Sequence, residues 1–185
     1  ASHIMNKPLV HFHGGEVTNG VIDDAIRHSV SKLSDIHFVA NHEFKKRLIR
    51  MGEREKYIHN VGSLGIDAIK KMKFKDRKYV SNKIPELKNK KYFMVSLHPE
   101  TLKSNNSKLI SNVLRSLDNF QDYMKIFSYP NSDTNSAQIL MEIKKYVRAN
   151  NNAIATPSFG RIDYLHLLKY SEAIVGNSSS GILEA

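Results

Sequence analysis

Ala173-Ile174-Val175-Gly176-Asn177-Ser178-Ser179-Ser180-Gly181-Ile182-Leu183-Glu184-Ala185 decides how the rest of the chain is read. Ala173 to Val175 are apolar and short, which predicts a buried strand. Gly176 and Asn177 predict a tight turn. The serines that follow predict the start of a helix. Such a helix start presents free backbone N–H groups and a partial positive charge, and serine hydroxyls add donors, so the turn is a candidate anion site. Gly181 has no side chain to hold a bulky ligand away from the backbone. The dipole contributes only about 0.3–1 kcal/mol near a surface, so a phosphate needs the N–H and O–H bonds as well. The plainer alternative is that the serines only cap a helix. The sequence ends a few residues into that helix, which is expected of a piece of a longer domain.

The same alternation runs through the rest of the chain. Pro8 to His13 reads as a strand closed by Gly14-Gly15. From Val21 to Leu33, Ile22, Ala25, Ile26, Ser29, Val30 and Leu33 fall on one helical side. Asp35 to Ala40 is a strand, His42 to Met51 a helix ended by Gly52, and Lys56 to Val61 a strand. Gly62 to Lys73 reads as a hinge leading into a short helix, and Phe74 to Lys91 as charged and irregular. The pattern then restarts. Strands are expected at Tyr92–Leu97, Tyr123–Ser128, Ala153–Ala155 and Glu172–Val175. Helices are expected at Leu109–Phe120, Ser136–Ala149 and Arg161–Lys169. Strand–helix alternation predicts an α/β fold with parallel sheets and crossover helices. The break predicts two domains, residues 1–61 and 74–185, joined by a hinge at 62–73.

Composition narrows the function. Over 185 residues, 41% are hydrophobic, enough for a real core. There is no cysteine, which removes disulfides and thiolate metal sites and suits a reducing, cytoplasmic setting. No apolar run approaches the roughly 20 residues a membrane span needs, so no membrane partner is expected. The net charge of +10 raises a nucleic-acid reading. The lysines are spread over helix-like segments such as Lys70-Lys71-Met72-Lys73 and Lys144-Lys145, with no aromatic-studded groove or recognition-helix motif. A solvated helix face explains them, and such a surface also steers polyanionic small molecules such as nucleotides.

Polar groups recur where strands end and helices begin, the edge at which open α/β sheets bind ligands. His98 follows a strand and precedes Pro99, which holds it extended, so its imidazole can bond a phosphate or move a proton. Asn131 and Asp133 sit in an Asx-rich turn and have ordinary turn chemistry as the alternative. Asp23, Asp24, Arg27 and His28 are dense in one first turn. Spacing places Asp23 with Arg27 and Asp24 with His28, each pair on one face, where surface ion pairs are worth under about 1 kcal/mol. His11 and His13 alternate along a strand and so share a face, but no third ligand matches, so no metal is expected. Glu16 follows the double glycine, where backbone can pass close to a ligand.

Taken in order, these motifs resemble the hydrolysing UDP-N-acetylglucosamine 2-epimerases, in particular the sialic acid and legionaminic acid branch. The matching residues are His11-Phe12-His13-Gly14-Gly15-Glu16-Val17-Thr18, Ile22-Asp23-Asp24-Ala25-Ile26-Arg27-His28-Ser29 and Lys32-Leu33-Ser34. Further on come His98-Pro99, Pro130-Asn131-Ser132-Asp133, and Gly176-Asn177-Ser178-Ser179-Ser180-Gly181 with Glu184.

The resemblance implies a GT-B-like architecture, two Rossmann-like domains with a UDP-sugar in the cleft between them. The chain would then hold the end of the first domain and most of the second, and would be inactive alone. The implied chemistry is loss of the C2 proton with departure of UDP from C1, giving a 2-acetamidoglucal. Hydration of the glucal follows, to N-acetylmannosamine or its 2,4-diacetamido-6-deoxy relative. By motif, Asp23 matches the catalytic carboxylate and His98 the diphosphate-side histidine. Asn131, Ser178, Ser179 and Glu184 match nucleotide-binding positions, with Arg27 beside the substrate. Several relatives have a catalytic glutamate where this chain has His13, which leaves open whether Glu16 or His13 takes the second position. The resemblance implies no metal, no nicotinamide cofactor, and a homodimer for the full-length protein. A GT-B glycosyltransferase and a non-catalytic sugar-nucleotide-binding module are the competing readings.

Overall fold

The computed structural model describes residues 4–18, 22–99, 107–131 and 136–185. Asp133, singled out above, lies outside them. The chain divides into two compact units, Ala1–Lys71 and Met72–Ala185. Both are α/β with parallel sheets, as the alternation predicts.

The first unit holds β1 (Val10–Phe12), α1 (Asp23–Lys32), β2 (Ile36–Val39), α2 (His42–Arg50), β3 (Ile58–Asn60) and α3 (Leu64–Lys71). Its strands pair in the order β1-β2-β3. Helix α2 starts because Asn41 accepts a hydrogen bond from the Phe44 N–H at 3.0 Å. Its buried side carries Phe44, Leu48 and the following Met51, which pack on Val39 and Ile58. The opposite sheet face carries Val10 and Phe12, 42% and 44% exposed, with the Phe12 ring stacked on Phe38 at 4.9 Å.

The second unit holds α4 (Arg77–Lys83), β4 (Tyr92–Ser96), α5 (Ser107–Leu117), β5 (Met124–Ser128), α6 (Ser136–Ala149), β6 (Ala153–Thr156), α7 (Gly160–Tyr170), β7 (Ala173–Gly176) and α8 (Ser180–Leu183). The sheet order is β6-β5-β4-β7. Every residue of β4 is buried, as expected of a central parallel strand covered on both faces. Phe93 and Val95 face a core with Ile110, Leu114, Ile139 and Ile143 of α5 and α6. Tyr92 and Met94 face a second core with Val80, Leu167 and Leu168 of α4 and α7.

Helix α4 corrects the irregular reading of Phe74 to Lys91. Its seven residues offer one buried apolar position, Val80, too few to show a period. Asp76 caps it through the Tyr79 N–H, and Tyr79 donates to Asp163 of α7 at 2.5 Å while Lys83 pairs with the same carboxylate at 3.0 Å. Tertiary partners hold this helix. A 3-10 turn over Pro85–Leu87 follows it. Among the described residues no helix is long and apolar enough to cross a membrane.

Candidate functional site

In the first unit the candidate residues gather in the loop between β1 and α1. His13 is not part of β1 and adopts φ +63°, so it does not share a strand face with His11 as the alternation suggested. Its Nδ1 instead lies 2.9 Å from Glu16 Oε1. Gly15 has φ +77°, and an added Cβ would sit 2.4 Å from the Phe44 carbonyl oxygen, so the loop passes hard against α2. Arg47 of α2 donates to the Gly15 carbonyl. Glu16 is therefore held both by its own imidazole partner and by an anchored backbone.

The two aspartates of α1 do different things. Asp24 accepts from the Thr18 N–H at 2.9 Å and lies 3.6 Å from both Arg27 and His28. The Asp23–Arg27 pair expected from spacing does not form, because Arg27 turns toward Asp24, the Glu16 carbonyl at 3.4 Å and Thr18 Oγ1 at 3.2 Å. Asp23 is exposed and makes no hydrogen bond or ion pair with the described residues. Of the two carboxylates, Asp23 is unengaged by the described residues, and Asp24 fastens the loop.

His11 Nδ1 lies 3.1 Å from Ser31 Oγ, which donates to the Arg27 carbonyl at 3.0 Å. Burial, with the neighbouring His37 and Arg27, holds the His11 imidazole below its ordinary pKa, which favours the neutral ring. Among the described residues no three His, Asp or Glu side chains are placed to hold a metal ion.

In the second unit a cavity of about 380 Å³ opens over the carboxyl ends of the strands. Its lining includes His98, Asn131, Ser178 and Glu184, all expected from sequence. Ser180 lines it, whereas Ser179 is the N-cap of α8 and makes no side-chain capping bond. Helix α8 has only four residues, so its dipole is small and the hydroxyl and carboxylate groups dominate the local chemistry. Glu184 Oε2 accepts from Ser180 Oγ at 2.7 Å, and its Oε1 lies 3.6 Å from Arg161. Tyr164 and Ser180 hydroxyls meet at 2.7 Å, and burial raises the Tyr164 pKa, keeping it a neutral donor and acceptor.

Gly176 makes this arrangement possible. With φ +143°, its missing Cβ would lie 1.9 Å from the Ser96 carbonyl oxygen. The last residue of β7 therefore lies hard against the end of β4, and Asn177, next in the chain, reaches the residues that follow β4. The His98 N–H donates to Asn177 Oδ1 and Asn177 Nδ2 donates to the His98 carbonyl, both at 2.8 Å.

Sequence reasoning missed Ser96, Ser128, Phe159, Arg161 and Tyr164, which also line the cavity. A signal existed for two of them, since Ser96 and Ser128 each end an apolar strand. Only the pairing of those strands in register shows that the two residues meet.

A family profile described as UDP-N-acetylglucosamine 2-epimerase matches residues 1–185. The chain is 40% identical over 184 residues to a GDP/UDP-N,N'-diacetylbacillosamine 2-epimerase (hydrolyzing) of Campylobacter jejuni, covering 98% of this chain and 48% of that protein. It is 36% identical over 193 residues to a UDP-N-acetylglucosamine 2-epimerase of Neisseria meningitidis, covering 98% and 47%. The chain thus spans about half the length of the curated relatives it matches. The structure of a UDP-GlcNAc 2-epimerase of Methanocaldococcus jannaschii, in complex with UDP-GlcNAc and UDP, superposes with a TM-score of 0.73 at 20% identity, over 96% of this chain and 50% of that one. That likeness shows the fold to be α/β and GT-B-like, with parts of two Rossmann-like domains.

Proposed function

The chain belongs to the UDP-N-acetylglucosamine 2-epimerase family, and from that premise we propose that it carries the working residues of a hydrolysing 2-epimerase acting on a UDP-linked 2-acetamido sugar. The observation that carries this reading is the second-unit cavity, where an imidazole, five serines, an asparagine and a carboxylate line one space over the ends of parallel strands. That set suits a nucleoside diphosphate. His98 and the serines donate to diphosphate oxygens, and Glu184 accepts from ribose hydroxyls.

The chemistry assigned to the first unit is acid–base work. Asp23, with no competing partner among the described residues, takes the proton from C2 as the C1–O bond to UDP breaks, and the electron pair of the C–H bond forms the C1–C2 double bond. The products are UDP and a 2-acetamidoglucal. Water then adds, its hydroxyl to C1 and a proton to C2, giving the free 2-epimeric sugar. Glu16, held by His13, is the second acid–base group. Arg27 sets the loop through the Glu16 carbonyl.

UDP-N-acetylglucosamine is the leading substrate. The 40% identical relative named for diacetylbacillosamine favours a second reading, in which the sugar is the 2,4-diacetamido-2,4,6-trideoxy analogue. The test is to incubate the full-length protein with each UDP-sugar and measure UDP release and the sugar formed. UDP with N-acetylmannosamine, or with its diacetamido counterpart, selects between the two. Glycosyl transfer to an acceptor without free sugar would overturn both.

A further inference from the structure

Two serines that sequence reasoning passed over form a chain leading to His98. Strands β4 and β5 pair in register, so their last residues, Ser96 and Ser128, are partners. Ser96 is buried, only 4% exposed, while Ser128 is half-buried and lines the cavity. Ser128 Oγ donates to Ser96 Oγ at 3.2 Å, and Ser96 Oγ lies 3.2 Å from His98 Nε2. A hydroxyl has one proton and two acceptor lone pairs. Ser96 accepts the proton of Ser128 and has its own to give, and the imidazole nitrogen within reach is Nε2. When Nε2 takes that proton it carries no hydrogen of its own and the proton of the neutral ring is on Nδ1, whereas an Nε2–H ring would instead donate to the second lone pair of Ser96. Which imidazole nitrogen is protonated is set by the bond the other one makes.

The main chain beneath the ring is fixed independently. Asn177 clamps both the N–H and the carbonyl of His98 at 2.8 Å, and Gly176 leaves no gap against the Ser96 carbonyl. Backbone clamp and hydroxyl chain come from the ends of three strands, β4, β5 and β7, with β4 paired in register to both of the others. A ring that assists a departing diphosphate gains from being set before the substrate arrives, because reorganisation at the moment of reaction is then avoided.

We propose that Ser96 and Ser128 are positioning residues that hold the neutral His98 ring in its Nδ1–H tautomer and in one orientation in the cavity. The consequence for turnover rests on the UDP-sugar reading of the cavity, whereas the tautomer itself does not. The experiment therefore begins without ligand. Ring nitrogen NMR shifts of His98 are recorded in the histidine-labelled protein at a pH where the ring is neutral, with His98→Gln for assignment. The wild type shows the Nδ1–H pattern. Ser96→Ala loses that preference, and Ser128→Ala, at a less buried site, weakens it in the same direction while leaving the fold intact. An Nε2–H pattern in the wild type, or unchanged shifts in both variants, overturns the proposal.

Turnover is then measured in the full-length protein. Ser96→Ala lowers kcat about tenfold with KM changed less than twofold and displaces the pH profile of kcat, and Ser96→Thr, which restores the hydroxyl, recovers most of the loss. A drop in kcat that Ser96→Thr does not recover, or one without movement of the pH profile, reduces Ser96 to a packing role and overturns the proposal. Absence of UDP binding and turnover by the wild type overturns the UDP-sugar reading instead, while the ring shifts still decide the tautomer.

Discussion

The two units hold their candidate residues by different means. In the first, the contacts around Glu16 and Asp24 are local, spanning 3 residues for His13–Glu16, 6 for Thr18–Asp24 and 11 for Arg27–Glu16. In the second they span 32 residues for Ser128–Ser96 and 79 for Asn177–His98. The first unit rests on a three-stranded sheet with Val10 and Phe12 on an exposed face, and the second on a four-stranded sheet with a core on each side. Local contacts can set a charged loop on a half-covered sheet. A cavity built from three strand ends needs the whole sheet. Damage to one strand of the second unit should therefore spread through its site, whereas the first unit should tolerate changes one residue at a time.

The largest effect that separates the aspartates is catalytic. Asp23→Asn in the full-length protein is expected to lower kcat by at least a hundredfold with unchanged thermal stability, because Asp23 fastens nothing among the described residues. UDP binding, followed by calorimetry, should persist. Full activity of this variant would remove the acid–base role from α1.

Next comes the glycine pair. Gly176→Ala forces a Cβ onto the Ser96 carbonyl and should cost about 3 kcal/mol in urea unfolding, with loss of UDP binding. Gly15→Ala meets the Phe44 carbonyl and should cost a similar amount, but leave UDP binding in the second unit intact. Loss of UDP binding in both would show that the units do not respond separately.

A smaller effect is expected at Asp24. Asp24→Asn keeps an acceptor for the Thr18 N–H and removes the charge facing Arg27 and His28, for about 0.5–1 kcal/mol in thermal or urea unfolding. A loss as large as that from Gly15→Ala would mean that the ion pairs, not the backbone packing, hold the loop.

The smallest effects are pH-dependent and run to different thresholds. His11 has a folded pKa below its ordinary 6.5, so the unfolded chain takes up a proton first as pH falls. The stability it contributes is complete above about pH 6.5 and declines from there down to its folded pKa. His11→Gln should flatten that slope in first-unit amide exchange. Asp163 is held below the ordinary carboxylate value by the Tyr79 hydroxyl and then Lys83. Its contribution is present above the ordinary 3.8 and is lost as pH falls through the lower folded value. Amides of α4 should lose protection only in that more acidic range, and Tyr79→Phe should narrow it. Equal acid sensitivity of both units near pH 6 would contradict these assignments.

The amino-acid sequence by itself determined the strand–helix alternation, the parallel sheets and the family. Those follow from apolar runs, from glycine at turns, and from motifs such as His11 to Thr18 that lie contiguous in the chain. It also showed the charged cluster of α1, since residues three and four apart on a helix are neighbours whatever surrounds them. What only the tertiary structure decided was which member of each cluster is engaged. Asp24 rather than Asp23 takes the loop N–H, because the chain folds Thr18 back onto α1. His13 turns out of the strand to meet Glu16, because Gly15 must pass under α2. Helix α4 forms because Asp163, eighty or more residues away, receives Tyr79 and Lys83. Ser96, Ser128, His98 and Asn177 meet because strand register brings chain ends together, and register is fixed by burial on both faces of the sheet, a property no short stretch of sequence contains.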